Sequence, residues 1–171
     1  MRKRIRPFLF VSFFSFCTLL ANAQNERVKA LFIYNFTKYI EWPAEAKNGP
    51  FIIAVLGETP LFDQLVANTS TRKVSMQDIV VKKYTKVSEI EKCHILFISH
   101  DKVGFIKEAQ SRIKYWFTLL ITDSPGMINE GAGLNLTNSN GKQSFEINTQ
   151  YLDQRRLVYS AALLSLGVKV K

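Results

Sequence analysis

The sequence predicts an α/β protein: a mainly parallel sheet flanked by helices, with a C-terminal antiparallel hairpin and a terminal helix. Three observations carry that reading. Short continuous runs rich in β-branched residues, such as FIIAVLG (Phe51 to Gly57) and HILFIS (His94 to Ser99), have the pattern of strands covered on both faces. Segments with helical spacing separate those runs, and strands alternating with helices favour parallel pairing. The dipeptide Asn140-Gly141, between runs that alternate apolar and polar residues, is a strong hairpin signal.

The chain opens on four basic residues within MRKRIR, continues through the uncharged apolar run Phe8 to Leu20, and reaches the small residues Ala21 and Ala23. This is the pattern of a signal peptide over residues 1–23, with cleavage expected after Ala23. The apolar run is shorter than the roughly 20 residues a membrane-spanning helix needs. Residues 24–171 are then read as one exported, periplasmic domain, since no repeat or linker divides them. Loss of the leader lowers the formal charge from +9 to +5, because four of the 23 Lys and Arg lie in it and none of the 14 Asp and Glu do. The remaining basic residues are scattered, and nucleic acid is not expected as a partner.

LFIYNFTKYIEWP (Leu31 to Pro43) reads as a helix that is apolar almost all round. Val28, Leu31, Phe32, Phe36, Tyr39 and Ile40 form its core-facing stripe, and Ile33, Tyr34 and Trp42 point partly elsewhere. The second face is expected to be covered either by the rest of the domain or by another chain. After the strand Phe51 to Gly57, Thr59 and Pro60 start a helix over LFDQLVAN. Asp78 to Tyr84 follows as a strand, KVSEIEK as a short helix, and His94 to Ser99 as a strand. Lys102 to Lys114 is an amphipathic helix and Tyr115 to Asp123 a fourth strand. Leu134 to Asn148 forms the hairpin. Tyr151 to Gly167 is predicted as a single C-terminal helix with a stripe through Leu157, Ala161, Leu164 and Val168, and VKVK as an edge strand beyond it.

Chemistry is sparse. No phosphate-binding loop or zinc-protease helix occurs, and Gly131 to Gly133 lacks the third glycine of a dinucleotide fingerprint. His94 and His100 lie at opposite ends of a predicted strand, about 20 Å apart, too far for one metal ion. Cys17 leaves with the leader, so Cys93 stays alone and is read as a buried, inert thiol. No catalytic set, metal or cofactor is expected. One constellation remains: the predicted strand ends bring Glu58 and Thr59, His100 and Asp101, and Asp123 and Ser124 to the edge of a parallel sheet where ligand crevices form. These residues define an alternative function, a periplasmic small-molecule-binding accessory domain.

KALFIYNFTKYIEWP (Lys29 to Pro43), the strand CHILFIS (Cys93 to Ser99), and GKQSFEIN followed by LVYSAALLSLG together resemble the YfiR family of periplasmic regulators, with its YfiR/HmsC-like domain. The resemblance implies regulation by binding, without catalysis. Relatives repress a membrane-anchored signalling protein, a diguanylate cyclase or a sensor kinase, through its periplasmic portion, and many form homodimers. Such repression controls cyclic di-GMP and biofilm formation. The hallmark positions fall on Tyr34, Asn35, Phe36, Trp42 and Pro43 in the first helix and on Phe145, Glu146 and Asn148 in the hairpin. Of these, Tyr34, Asn35, Trp42, Phe145, Glu146 and Asn148, together with Ile33, are the expected partner-binding residues. The chain departs from the family at Ser144, where relatives often carry a basic residue, which weakens any anion contact there. It also departs in its unpartnered Cys93, which leaves no redox switch within a monomer.

Overall fold

The computed structural model describes residues 8–139 and 142–170, with side chains from residue 24 onward except at 139. The basic start of the predicted leader and the Asn140-Gly141 turn lie outside the described residues. Helix α1 spans Phe8–Tyr39 and runs without a break past the predicted cleavage point. It leads into the two-residue strand β1 (Ile40–Glu41) and a 3-10 turn at Ala44–Ala46. Strand β2 (Phe51–Leu56), α2 (Leu61–Thr69) and the ribbon β3 (Lys73–Val74) and β4 (Gln77–Tyr84) follow. After a 3-10 turn at Val87–Glu89 come β5 (Ile95–Ile98), a second 3-10 stretch at His100–Phe105, α3 (Ile106–Arg112) and β6 (Leu119–Thr122). The hairpin β7 (Leu134–Ser139) and β8 (Lys142–Ile147) precedes α4 (Thr149–Gln154), β9 (Val158–Tyr159), α5 (Ala161–Leu166) and β10 (Val168–Lys169).

Eight strands form one sheet in the order β10-β8-β7-β6-β5-β2-β4-β3. The five strands β4-β2-β5-β6-β7 pair in parallel, and β7 with β8 and β3 with β4 are antiparallel, so the sheet is largely parallel but mixed. Strand order reverses once, between β2 and its neighbours β4 and β5. The predicted α/β class, the hairpin and the edge strand all hold. β2 is buried along nearly its whole length, as expected of a parallel strand covered on both faces.

α1 lies against the sheet and alongside α2 and α5. Its buried line is Ala30, Ile33 and Phe36, three residues apart and continued by Ile40 of β1, with Phe32 and Tyr39 packed at its flank. Phe32 and Phe36 meet Phe145 of β8 edge-on, at centroid distances of 6.0 and 4.9 Å. This corrects the predicted stripe: Ile33 is 0% and Trp42 4% exposed, so both belong to the core. The predicted orientation failed because a helix apolar on nearly every side leaves its rotation undetermined, and packing against Phe145 chose it. The helix also stops earlier than predicted. Ser160 N–H donates to Tyr39 O at 2.9 Å, and Ile40 and Glu41 pair with Tyr159 and Val158 as a two-stranded ribbon.

The same ribbon breaks the predicted C-terminal helix. Asn148 caps a short helix by accepting from Tyr151 N–H at 3.0 Å, and that helix ends where Arg156 turns left-handed at φ 55°. Leu157 N–H then reaches Leu152 O and Arg156 N–H reaches Asp153 O, the paired bonds of a Schellman stop. Val158 and Tyr159 leave as strand, and Ser160 starts α5. Of the predicted stripe only Leu157 is buried; Leu163 takes the core position in α5. β6 is shorter than predicted too, because Tyr115 to Phe117 form a turn before it, with Trp116 N–H donating to Ile113 O at 2.9 Å. The predicted helix from Lys102 begins as a 3-10 stretch and becomes α-helical only at Ile106.

Burial of Ile33 yields a direct prediction. Ile33→Asp places an unpaired carboxylate in the core and is expected to lower the unfolding free energy by about 4 kcal/mol or more, whereas Ile33→Val should cost about 1 kcal/mol. Urea titrations of the two variants measure the difference.

Candidate functional site

The strand ends predicted to form a crevice do come together, and their polar side chains engage one another beside a cleft of about 300 Å³ lined by Leu56, Val87, Lys102, Phe105 and Glu108. β2 ends at Gly57, which has φ +100°, and a Cβ there would lie 2.0 Å from Ser99 Oγ and 2.6 Å from Asp101 Oδ1. The glycine is needed both for its left-handed backbone and for this close approach. The Ser99 hydroxyl donates to Asp101 and lies 2.7 Å from Leu56 O, while Glu58 N–H points at Asp101 Oδ2 at 3.5 Å. The Ser99 hydrogen bond holds the Asp101 carboxyl below the ordinary range. Thr59 spends its hydroxyl on Leu61 N–H at 3.2 Å, Glu58 pairs with Lys83 at 3.0 Å, and His100 Nδ1 lies 3.0 Å from Ser124 Oγ. Each predicted crevice residue is thus engaged by a neighbour in the same chain.

Asp123 is held by a residue that sequence reasoning passed over. Lys29 of α1 donates to Asp123 Oδ2 at 2.6 Å and to Glu26 Oε1 at 2.8 Å, with all three side chains about 85% buried. Burial opposes the charge on Lys29, but the hydrogen bonds and charges of the two carboxylates outweigh it and raise its pKa. Glu26 Oε2 and Asp123 Oδ1 are buried without a hydrogen-bond partner among the described residues. The spacing of Glu26 and Lys29, one helical turn apart, was a visible signal. Only the tertiary fold adds Asp123.

The hairpin residues carry a second polar row. Thr122 donates to Asn135 Oδ1 at 2.7 Å, and Asn135 Nδ2 donates to Glu146 Oε2 at 2.8 Å. Asn135 is buried and Glu146 half-buried on the face away from Phe145. Phe145 and Asn148 are buried, the first against α1 and the second as the cap of α4. Of the expected partner-binding set, Ile33, Trp42, Phe145 and Asn148 are therefore interior, while Tyr34, Asn35 and Glu146 reach solvent in part. The Tyr34 ring is flanked by Arg72 at 4.4 Å and Lys38 at 5.1 Å.

Clefts open at the opposite edge, where the parallel strands begin. Two of them, of about 380 and 880 Å³, flank the β1 and β9 ribbon and share Glu41, Trp42, Lys47, Val158 and Tyr159 in their walls. Trp42 forms their floor by stacking edge-on to Phe51 at 4.9 Å and donating to His94 O at 3.2 Å. His94 is buried as a neutral imidazole: Nδ1 accepts from Ile52 N–H at 3.0 Å, Nε2 donates to Ala46 O at 2.7 Å, and its ring stacks on Phe51. Desolvation lowers its pKa. Burial pushes the adjacent Cys93 thiol up to about 12, which makes it unreactive, as expected from its place at a strand start. Among the described residues no group of three or more His, Cys, Asp or Glu is placed to hold a metal ion, and no helix is long and apolar enough to cross a membrane.

A profile described as YfiR/HmsC-like matches residues 26–168, from Glu26 of the buried ion cluster to the edge strand. The chain belongs to the YfiR/HmsC-like family. Among curated proteins, none matches the chain. Membership is consistent with a periplasmic regulator, and several residues that the resemblance singled out are structural fasteners in this chain: Phe36 with Phe145, Trp42 on Phe51, and Asn148 at a helix start.

Two outcomes are expected. Lys29→Met leaves two buried carboxylates without their cation and should lower stability by about 3 kcal/mol in urea titrations. His94 takes up a proton in the unfolded chain near the ordinary value of 6.5 but in the folded one only at lower pH. Its stabilisation is therefore complete above that value and lost as pH falls through the folded pKa. Thermal midpoints measured from pH 7.5 to 5 should decline, and His94→Gln, which keeps a donor and an acceptor, should flatten that decline.

Proposed function

We propose that this domain is an exported periplasmic regulator that represses a membrane-anchored diguanylate cyclase by binding its periplasmic portion, and so limits cyclic di-GMP and biofilm formation. The observation that carries the reading is family membership over residues 26–168, nearly the whole of the expected mature chain. The contact is with a signalling partner, and no catalytic step is assigned to the domain. Repression works by differential affinity: the domain shifts its partner toward the inactive arrangement only by as much as it binds that arrangement more tightly. Moving a partner from almost fully active to almost fully inactive takes about a 10⁴-fold preference.

The solvent-reaching members of the expected set, Tyr34 and Asn35 on α1 and Glu146 on the hairpin, are the proposed contact residues. Tyr34 suits that role because Arg72 and Lys38 hold its ring in place, so little side-chain freedom remains to be lost on binding. Against the small-molecule alternative, each of its predicted crevice residues is engaged by a neighbour in the same chain.

Deletion of the gene is expected to raise cyclic di-GMP in a reporter strain. Complementation with Tyr34→Ala should restore repression only in part, with at least about a tenfold weaker pull-down of the cyclase from membrane fractions and an unchanged thermal midpoint. An unaltered reporter on deletion would reject the function; full repression by Tyr34→Ala would reject only the surface.

A further inference from the structure

The segment RIKYWF, Arg112 to Phe117, closes α3 and turns before β6 at the edge where the parallel strands begin. Two cations, Arg112 and Lys114, precede three consecutive rings, Tyr115 to Phe117, and the structure brings more of both to the same place. The Arg112 guanidinium lies 5.6 Å from the centroid of Trp116 and donates through Nε to Ile90 O at 2.9 Å. The Lys114 ammonium lies 5.3 Å from the ring of Tyr115. From the turn after α4, Arg156 covers Phe117 at 5.1 Å. Arg155 lies 5.3 Å from the ring of Tyr151 and donates to the carbonyls of Ile113 and Lys114, which ties the two segments into one surface.

Charge on this surface is one-sided. Among the described residues Arg112, Lys114 and Arg155 form no ion pair, and Arg156 pairs with Glu45 at 3.0 Å. Elsewhere Lys29, Lys47, Lys73, Lys82, Lys83 and Lys107 have carboxylate partners while Arg27, Lys38, Arg72, Lys86, Lys92 and Lys102 have none among the described residues, so it is the projecting ring of Tyr115 beside the cations that sets this face apart. The rings are also unusually placed. Tyr115 is 85% exposed, so it contributes nothing to the core, and Trp116 and Phe117 are only partly covered.

We propose that this face rests on an anionic phospholipid surface. Tyr and Trp rings settle at the headgroup level of a bilayer, where one end is apolar and the other wet, and lysine and arginine beside them meet phosphate. An acidic protein would also answer the cations and the rings, and binding to polyglutamate in place of vesicles would mark it. Nucleic acid would answer both, yet an exported domain does not meet it. The proposal rests on export and does not depend on which enzyme is regulated. Its consequence is that the domain searches for a membrane partner over a surface instead of a volume.

Sedimentation of the exported protein with phosphatidylethanolamine vesicles, with or without phosphatidylglycerol, tests this. Wild type should bind the vesicles containing phosphatidylglycerol, and added salt should weaken binding. Each basic residue near an anionic leaflet contributes about fivefold, so Lys114→Glu combined with Tyr115→Ser should lower the affinity at least about tenfold. The thermal midpoint should not move, because both side chains are exposed. The proposal is overturned if wild type ignores phosphatidylglycerol, if it binds both vesicle types alike, or if the double variant binds as wild type does. Binding to polyglutamate or single-stranded DNA without binding to vesicles would overturn it as well.

Discussion

The apolar body of α1 must be covered, and the rest of the molecule is arranged so that it is. Ile33 and Phe36 press on the sheet, Phe145 reaches up from the hairpin, and α2 and α5 close the sides. Each large apolar side chain buried this way contributes about 1.5–3 kcal/mol, which makes the helix the centre of the core instead of an appendage to it. The stretch from Lys29 to Trp42 is fastened at either end by different chemistry. Lys29 is clamped by Asp123 where the parallel strands finish, and Trp42 is held over Phe51 and His94 where they start.

The first helix and the hairpin are the two halves of one contact, and Asn148 restarts the chain as helix once the hairpin has delivered Phe145. The proposed partner surface then falls on residues at the margin of this contact, such as Tyr34 and Glu146. The edge at which the strands begin is separate from it and has its own clefts, its own ribbon of β1 and β9, and the basic aromatic turn.

Much of the fold was legible because local signals agreed with the tertiary outcome. FIIAVLG and HILFIS are apolar on both faces and became central strands; the runs on either side of Asn140-Gly141 became an antiparallel pair; the terminal VKVK became an edge. The C-terminal helix misled because Leu157 continues a helical period that begins at Tyr151, and periodicity says nothing about Val158 and Tyr159 finding β1. The crevice was legible in part. The glycine, serine and acidic residues stand at the strand ends as predicted, but whether such groups face a ligand or one another depends on side-chain packing around Gly57, and here they face one another.

The class of the fold, the strand segments and the family were readable from the sequence alone, since each of these follows from short-range pattern or from residues in a recognisable order. Only the tertiary structure decided which side of α1 is buried, that Trp42 and Ile33 are interior, and that Lys29 neutralises Asp123. The reason is geometric. A helix apolar in every direction and a charge with several possible partners have no preferred orientation until a three-dimensional neighbour selects one, and the neighbours here, Phe145 and Asp123, lie about a hundred residues along the chain.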